Sequence, residues 1–119
     1  FKILDKGPQG KDSCDYPDYA IAVAKSVASG ETDFGILVCR TGIGMSMVAN
    51  RFQNVRAAIV SDPATAATTR QHNDANIISL PGRFISNELA WEMVQAFLDT
   101  PFEGGRHERR GEKIEQTDN

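Results

Sequence analysis

The residue types that can do chemistry in this chain gather first around Cys39. The stretch Phe34–Asn50, "FGILVCRTGIGMSMVAN", runs from an apolar segment into a thiol, then Arg40, Thr41, two glycines and a helical pattern. A thiolate there can act as a nucleophile, or as a base that takes and returns a proton. Gly42 and Gly44 let the backbone turn tightly and come close to a ligand, with N–H groups facing an anion near a helix start. The positive end of that helix also favours the thiolate form. The plainer reading makes Cys39 a small buried hydrophobe and the glycines turn residues only. Farther on, "RQHND" offers His72 and Asn73. Histidine exchanges protons near neutral pH; its plainer role is to close a helix, whose C-terminus favours a positive imidazole. "PGRF" offers Arg83, and "GGRHERR" offers Arg106 and Arg110, four residues apart. On a helix that pair shares a face and can converge on a phosphate. Otherwise the run is a solvated charged tail. His107 and Arg109 point elsewhere on that helix and take this plainer reading.

Four short apolar runs must hold these groups in place: Phe1–Leu4, Phe34–Cys39, Val55–Val60 and Ala75–Leu80, all read as strands. Helical patterns separate them. The first covers about Tyr16–Ser29, with an apolar stripe of Tyr19, Ala20, Val23, Ala24 and Val27 that stops at Gly30. The second begins near Gly42–Met45 and runs to Phe52. The third starts with Asp62 as N-cap and Pro63 at its first position. A fourth takes Ser86 as N-cap and carries Leu89, Ala90, Met93, Val94 and Phe97. Alternating strands and helices imply a parallel sheet covered on both faces. "GILVC" and "AAIV" are continuous rather than alternating, as expected of strands buried on both sides. The expected class is α/β, a Rossmann-like, doubly wound three-layer sandwich. Ligands of such sheets bind beyond the carboxyl ends of the strands, where Cys39 sits.

Composition narrows the rest. With 119 residues, 40% hydrophobic and 24% charged, the chain reads as one soluble globular domain. A net charge of −3 gives no general attraction to nucleic acid or anionic membrane. No apolar run approaches the roughly 18–20 residues that span a bilayer, and no signal peptide is visible. Two cysteines, Cys14 and Cys39, form neither a zinc motif nor a disulfide framework. Reduced thiols in a cytoplasmic protein are the simpler reading, with Cys14 structural or incidental. Residues 1–100 read as the domain body and 101–119 as its charged helical tail.

"CRTGIGMSMVAN", "RQHNDANII" and "PFEGGRHERR", preceded by "DYPDYA", resemble in collinear order the sugar-phosphate isomerases of the type B ribose-5-phosphate isomerase and galactose-6-phosphate isomerase family. The resemblance implies an aldose–ketose isomerisation through a cis-enediolate. The sequence shows no metal cluster, and enediolate chemistry needs none when protein donors stabilise the anion, so no cofactor is expected. By similarity Cys39 is the base, while Thr41 and the backbone N–H groups of Arg40, Gly42, Ile43 and Gly44 hold the enediolate oxygen. Ser46 belongs to the same motif. His72 is implied in ring opening, Asn73 in holding the sugar, and Arg83, Arg106 and Arg110 in binding phosphate; Tyr16 is a weaker site candidate. The resemblance further implies a homodimer or tetramer whose site lies between subunits, with the tail packing on a partner.

Two departures from the family pattern stand out. The family opens with a strand and helix bearing an Asp-His pair, and this sequence starts at the counterpart of the second strand; a fragment is the favoured reading, with supply from elsewhere or degeneracy as the alternatives. Arg40 stands where the family usually has glycine. Its Cβ restricts positive φ, and its guanidinium either narrows the pocket, selects another sugar or adds a phosphate contact. Rival roles are a cysteine-phosphorylated sugar-transport carrier, which also uses C-x-T-G, and a non-catalytic sugar-phosphate-binding subunit. A cysteine phosphatase fits poorly, because its loop needs arginine where Met45 stands.

Overall fold

The computed structural model describes residues 2–8 and 15–116. Its elements run α1 (Tyr16–Ala28), β1 (Gly35–Cys39), α2 (Ile43–Ala49), β2 (Ala57–Ile59), α3 (Pro63–Asn73), β3 (Ile77–Pro81), α4 (Asn87–Asp99) and α5 (Arg106–Gln116). The strands form a parallel sheet in the order β1-β3-β2. Gly35 pairs with Ile77 at one end of β1 and Cys39 with Pro81 at the other. Ala57 also pairs with Ile77, so all three strands point the same way.

Helices cover both faces, as the sequence leads one to expect. Successive residues of a strand face opposite sides, and β3 shows the consequence. Ile77 packs with Ala20, Ala24 and Val27 of α1 and Met45 and Ala49 of α2. Its neighbour Ile78 packs with Ala66 of α3 and Met93 and Phe97 of α4. The whole of β3 is buried.

Several helix boundaries follow from local chemistry. Asp62 Oδ1 accepts the Thr65 N–H at 2.7 Å, with Pro63 in the first turn of α3. Ser86 Oγ accepts the Leu89 N–H at 3.1 Å and starts α4. Past α1, Gly30 takes φ +83°, a conformation that ends a helix cheaply in glycine.

The expectations fail in three places. Residues 2–4 of the predicted strand Phe1–Leu4 form no strand, since no strand among the described residues pairs with them; Ile3 is 85% exposed. Phe1 and Cys14 lie outside the described residues. "GILVC" and "AAIV" are not buried on both sides within the described sheet, where β1 and β2 take the outer positions. Ile36 and Val38 are 36% and 56% exposed on β1, and Ile59 is exposed on β2. Finally, α2 stops at Ala49 rather than Phe52. Asn50 ends it by turning its amide onto β2, donating to the Ala57 carbonyl at 2.9 Å and accepting the Ala57 N–H at 2.8 Å.

Phe97 is fully buried and meets the Phe34 ring edge-on at 5.4 Å between centroids. Phe97→Ala is expected to cost about 3–5 kcal/mol of folding stability, read as a lowered urea midpoint.

Candidate active site

The carboxyl end of β1 carries the thiol. Cys39 is a free thiol, half-buried, and its Sγ accepts the Gly42 N–H at 3.1 Å. Gly42 holds φ +78°, and a Cβ there would lie 3.3 Å from the Ser79 carbonyl oxygen and the Leu80 carbonyl carbon. The Gly42 carbonyl is fixed in turn by the buried Ser79 hydroxyl, which donates to it at 2.6 Å. The loop is thus clamped against β3, with one N–H aimed at the sulfur. Thr41 Oγ1 accepts the Ile43 N–H at 3.2 Å as α2 begins. The Ser46 side chain is buried and donates to the Ile43 carbonyl at 2.7 Å, stiffening the same turn.

Tyr16, at the start of α1, reaches this loop. A Cβ on Gly44 would sit 2.5 Å from its hydroxyl, so the phenol lies directly over the glycine and needs it bare. Arg40 avoids the left-handed region, where Asn54 and Asp74 are the only non-glycine residues described, so its Cβ carries no backbone strain. The Arg40 side chain is exposed, and its carbonyl accepts the Arg83 N–H at 3.1 Å. Arg83 places its guanidinium 5.9 Å above the Phe84 ring. Cys39, Arg40, Thr41, Gly42, Ile43, Gly44, Ser46, Tyr16 and Arg83 therefore share one end of the sheet.

The remaining candidates lie at the other end. His72 and Asn73 close α3, just ahead of the amino end of β3. Arg70, one turn earlier, is buried; it donates to Asp74 Oδ1 and to the Ala75 carbonyl, both at 2.7 Å, with its guanidinium 5.0 Å above the Phe34 ring. Arg56 donates to the Asp74 carbonyl at 2.8 Å and pairs with Glu115 at 2.6 Å, which holds α5 against this end. Arg106 and Arg110 ride on α5 with exposed side chains. The predicted tail is helical and packs on α3 of its own chain.

Within that end, the His72 and His107 rings stack, 4.3 Å between centroids and 9° from parallel. Glu103 Oε1 lies 3.7 Å from His107 Nε2. Burial of the His107 ring, then the nearby His72, Arg106 and Arg110, holds its pKa below the ordinary imidazole value, and Glu103 opposes them. His72, Glu103 and His107 bring one ligand atom each within 4.8 Å of one another, the described group that comes nearest a metal-ligand set. Ring lone pairs lie in the ring plane, so two parallel stacked imidazoles cannot both aim at one ion without turning. The neighbouring arginines also oppose a cation.

From Ile77 to Pro81 the sheet spans about 13 Å at the usual strand rise, and His72 stands beyond Ile77 while Cys39 pairs with Pro81. One copy of the chain does not bring His72 and Cys39 together. Sequence reasoning identified both groups but missed His107, Arg56 and Arg70. The Glu103–His107 spacing of four is the one local hint; the stack on His72 joins residues far apart in sequence.

A family model described as Ribose/Galactose Isomerase matches residues 1–114. The chain belongs to this family. It is 46% identical to ribose-5-phosphate isomerase B of Escherichia coli over 95% of the chain and 76% of that protein. The crystal structure of a ribose 5-phosphate isomerase from Thermotoga maritima superposes with a TM-score of 0.94 at 53% identity, covering 97% of this chain and 79% of that one. Ribose-5-phosphate isomerase B from Mycoplasma genitalium, solved with bound ribulose-5-phosphate, gives 0.95 at 44% identity, covering 98% and 78%. The three-layer αβα fold is that of these family members. No helix among the described residues is long and apolar enough to cross a membrane.

Gly42→Ala should lower stability by about 1–2 kcal/mol through its left-handed φ. It should also change the rate of Cys39 alkylation by iodoacetamide as the N–H leaves the sulfur. An unchanged alkylation rate would show that this N–H does not tune the thiol.

Proposed function

We propose that this chain is an aldose–ketose isomerase of sugar phosphates, converting ribose 5-phosphate to ribulose 5-phosphate, with Cys39 as its base and a site built by two copies. The observation that carries this reading is the strand-end thiol, its sulfur accepting the Gly42 N–H at 3.1 Å inside a loop of backbone donors. Membership of the family and the likeness to the Mycoplasma genitalium protein with its bound ketose phosphate support it.

The reaction begins with the closed sugar. His72 of a second copy exchanges a proton between the ring oxygen and the anomeric hydroxyl, and the chain opens to the aldehyde. The Cys39 thiolate takes the proton from C2, and the electron pair moves to O1, giving the enediolate. Thr41 and the loop N–H groups hold that oxygen as charge develops. A proton passes from O2 to O1, the thiol returns its proton to C1, and C2 becomes the ketone. The cysteine ends as it began, so the cycle is redox-neutral and draws on no cofactor.

Two copies are needed on this reading because His72 and Cys39 occupy opposite ends of one sheet. Arg106 and Arg110 ride with His72, so the second copy brings phosphate binding and ring opening together. Asn73 beside them holds a sugar hydroxyl, and Arg83 and Arg40 face the substrate from the Cys39 side. A working free thiol fits a reducing compartment, and we assign the protein to the cytoplasm.

A complementation assay tests both parts. Cys39→Ala and His72→Ala should each abolish turnover of ribose 5-phosphate. Co-expressed in equal amounts, they should recover about a quarter of wild-type activity, because half the symmetric dimers are mixed and each has one intact site. Recovery of nothing would sink the shared site. Wild-type binding of ribose 5-phosphate without turnover would sink the isomerase and leave a sugar-phosphate-binding subunit.

A further inference from the structure

His72 stands on the last turn of α3 with its side chain exposed, and its imidazole makes no hydrogen bond among the described residues. Left alone, such a side chain samples several rotamers. Its contact is the parallel stack on His107, whose own side chain is only 12% exposed. From this geometry we infer that His107 is a positioning residue for ring opening, fixing the plane of the His72 imidazole by stacking. The inference rests on the ring-opening role proposed for His72.

A stack is a particular kind of anchor. A hydrogen bond would occupy one of the two ring nitrogens, and a proton-exchanging histidine needs a nitrogen free. Contact through the ring face fixes orientation and leaves both in-plane nitrogens available. The anchor is itself held. Glu103 lies beside His107 Nε2, and the Glu103 N–H donates to the Gln71 carbonyl in the last turn of α3 at 3.2 Å. Below it, the Arg56–Glu115 pair at 2.6 Å ties α5 to the sheet. Burial lowers the His107 pKa and so favours its neutral form, which eases ring-to-ring contact. Because His107 follows Arg106 directly, one helix carries both the phosphate grip and the plane of the ring-opening group. Seating the phosphate therefore bears on the ring's aim.

Ribulose 5-phosphate makes the test selective. With its 5-hydroxyl phosphorylated, this ketose cannot close to a furanose. Exchange of its C1 hydrogen in D2O reports the Cys39 step without ring opening, and conversion of ribose 5-phosphate reports both steps. His107→Ala is expected to slow ribose 5-phosphate conversion by about tenfold or more, the scale of a misaimed catalytic group. It should leave C1 exchange close to the wild-type rate. His107→Phe restores a stacking ring and should recover most of the lost conversion, and it keeps the test valid if alanine loosens α5. Unchanged conversion in His107→Ala, an equal fall in both rates, or no recovery with phenylalanine would overturn the positioning role. If wild-type protein exchanges no deuterium at C1, the isomerase reading itself fails, a result distinct from any of these.

Discussion

Parallel strands give a sheet two unlike ends, and that constraint organises everything else in this molecule. Each strand of the β1-β3-β2 sheet delivers its carboxyl end to one side, where Cys39 and the Gly42 loop stand. Each helix then carries the chain back to the other side before the next strand begins. Whatever closes a helix, as His72 closes α3, must therefore lie far from whatever closes a strand. The thiol and the imidazole are separated by topology, and no side-chain rotation within one copy can join them.

The two ends are built differently. At the thiol end the backbone does the positioning: a buried serine holds the loop carbonyl, a glycine accepts an otherwise strained φ, and one N–H meets the sulfur. At the histidine end, charged side chains do it. Arg70 is buried against Asp74, the Ala75 carbonyl and the faces of two phenylalanines. Arg56 bridges β2, the end of α3 and α5. Interactions of this type are weak sources of net stability but strongly directional. They suit a task of orienting α5 rather than of holding the core together.

Much of the fold was legible because its signals are local. Asp62-Pro63 and Ser86 mark helix starts through hydrogen bonds to residues three positions away, and Gly30 marks a stop. Cys39 was legible for a related reason, since an apolar run meeting a thiol and two nearby glycines describes a strand end within a few residues. The strand expected at Phe1–Leu4 misled because an apolar run proposes a strand and only a neighbouring strand makes one. Burial of β1 misled similarly, because position within the sheet decides whether Val38 is covered, and a continuous run of apolar residues does not encode that position. His107 was read as a bystander because its angular place on α5 differs from that of Arg106. Its partner lies on α3, which only the folded chain brings alongside. Arg56 and Arg70 escaped notice for the same reason.

Asn50 ends α2, but its amide also lies along the outer margin of β2, using both the N–H and the carbonyl of Ala57. These groups face away from β3, where a further strand would otherwise dock. One carboxamide thus imitates a strand neighbour for a single residue and seals part of an edge that could template pairing between molecules. The residue that terminates a helix thereby also occupies hydrogen-bonding positions of a strand.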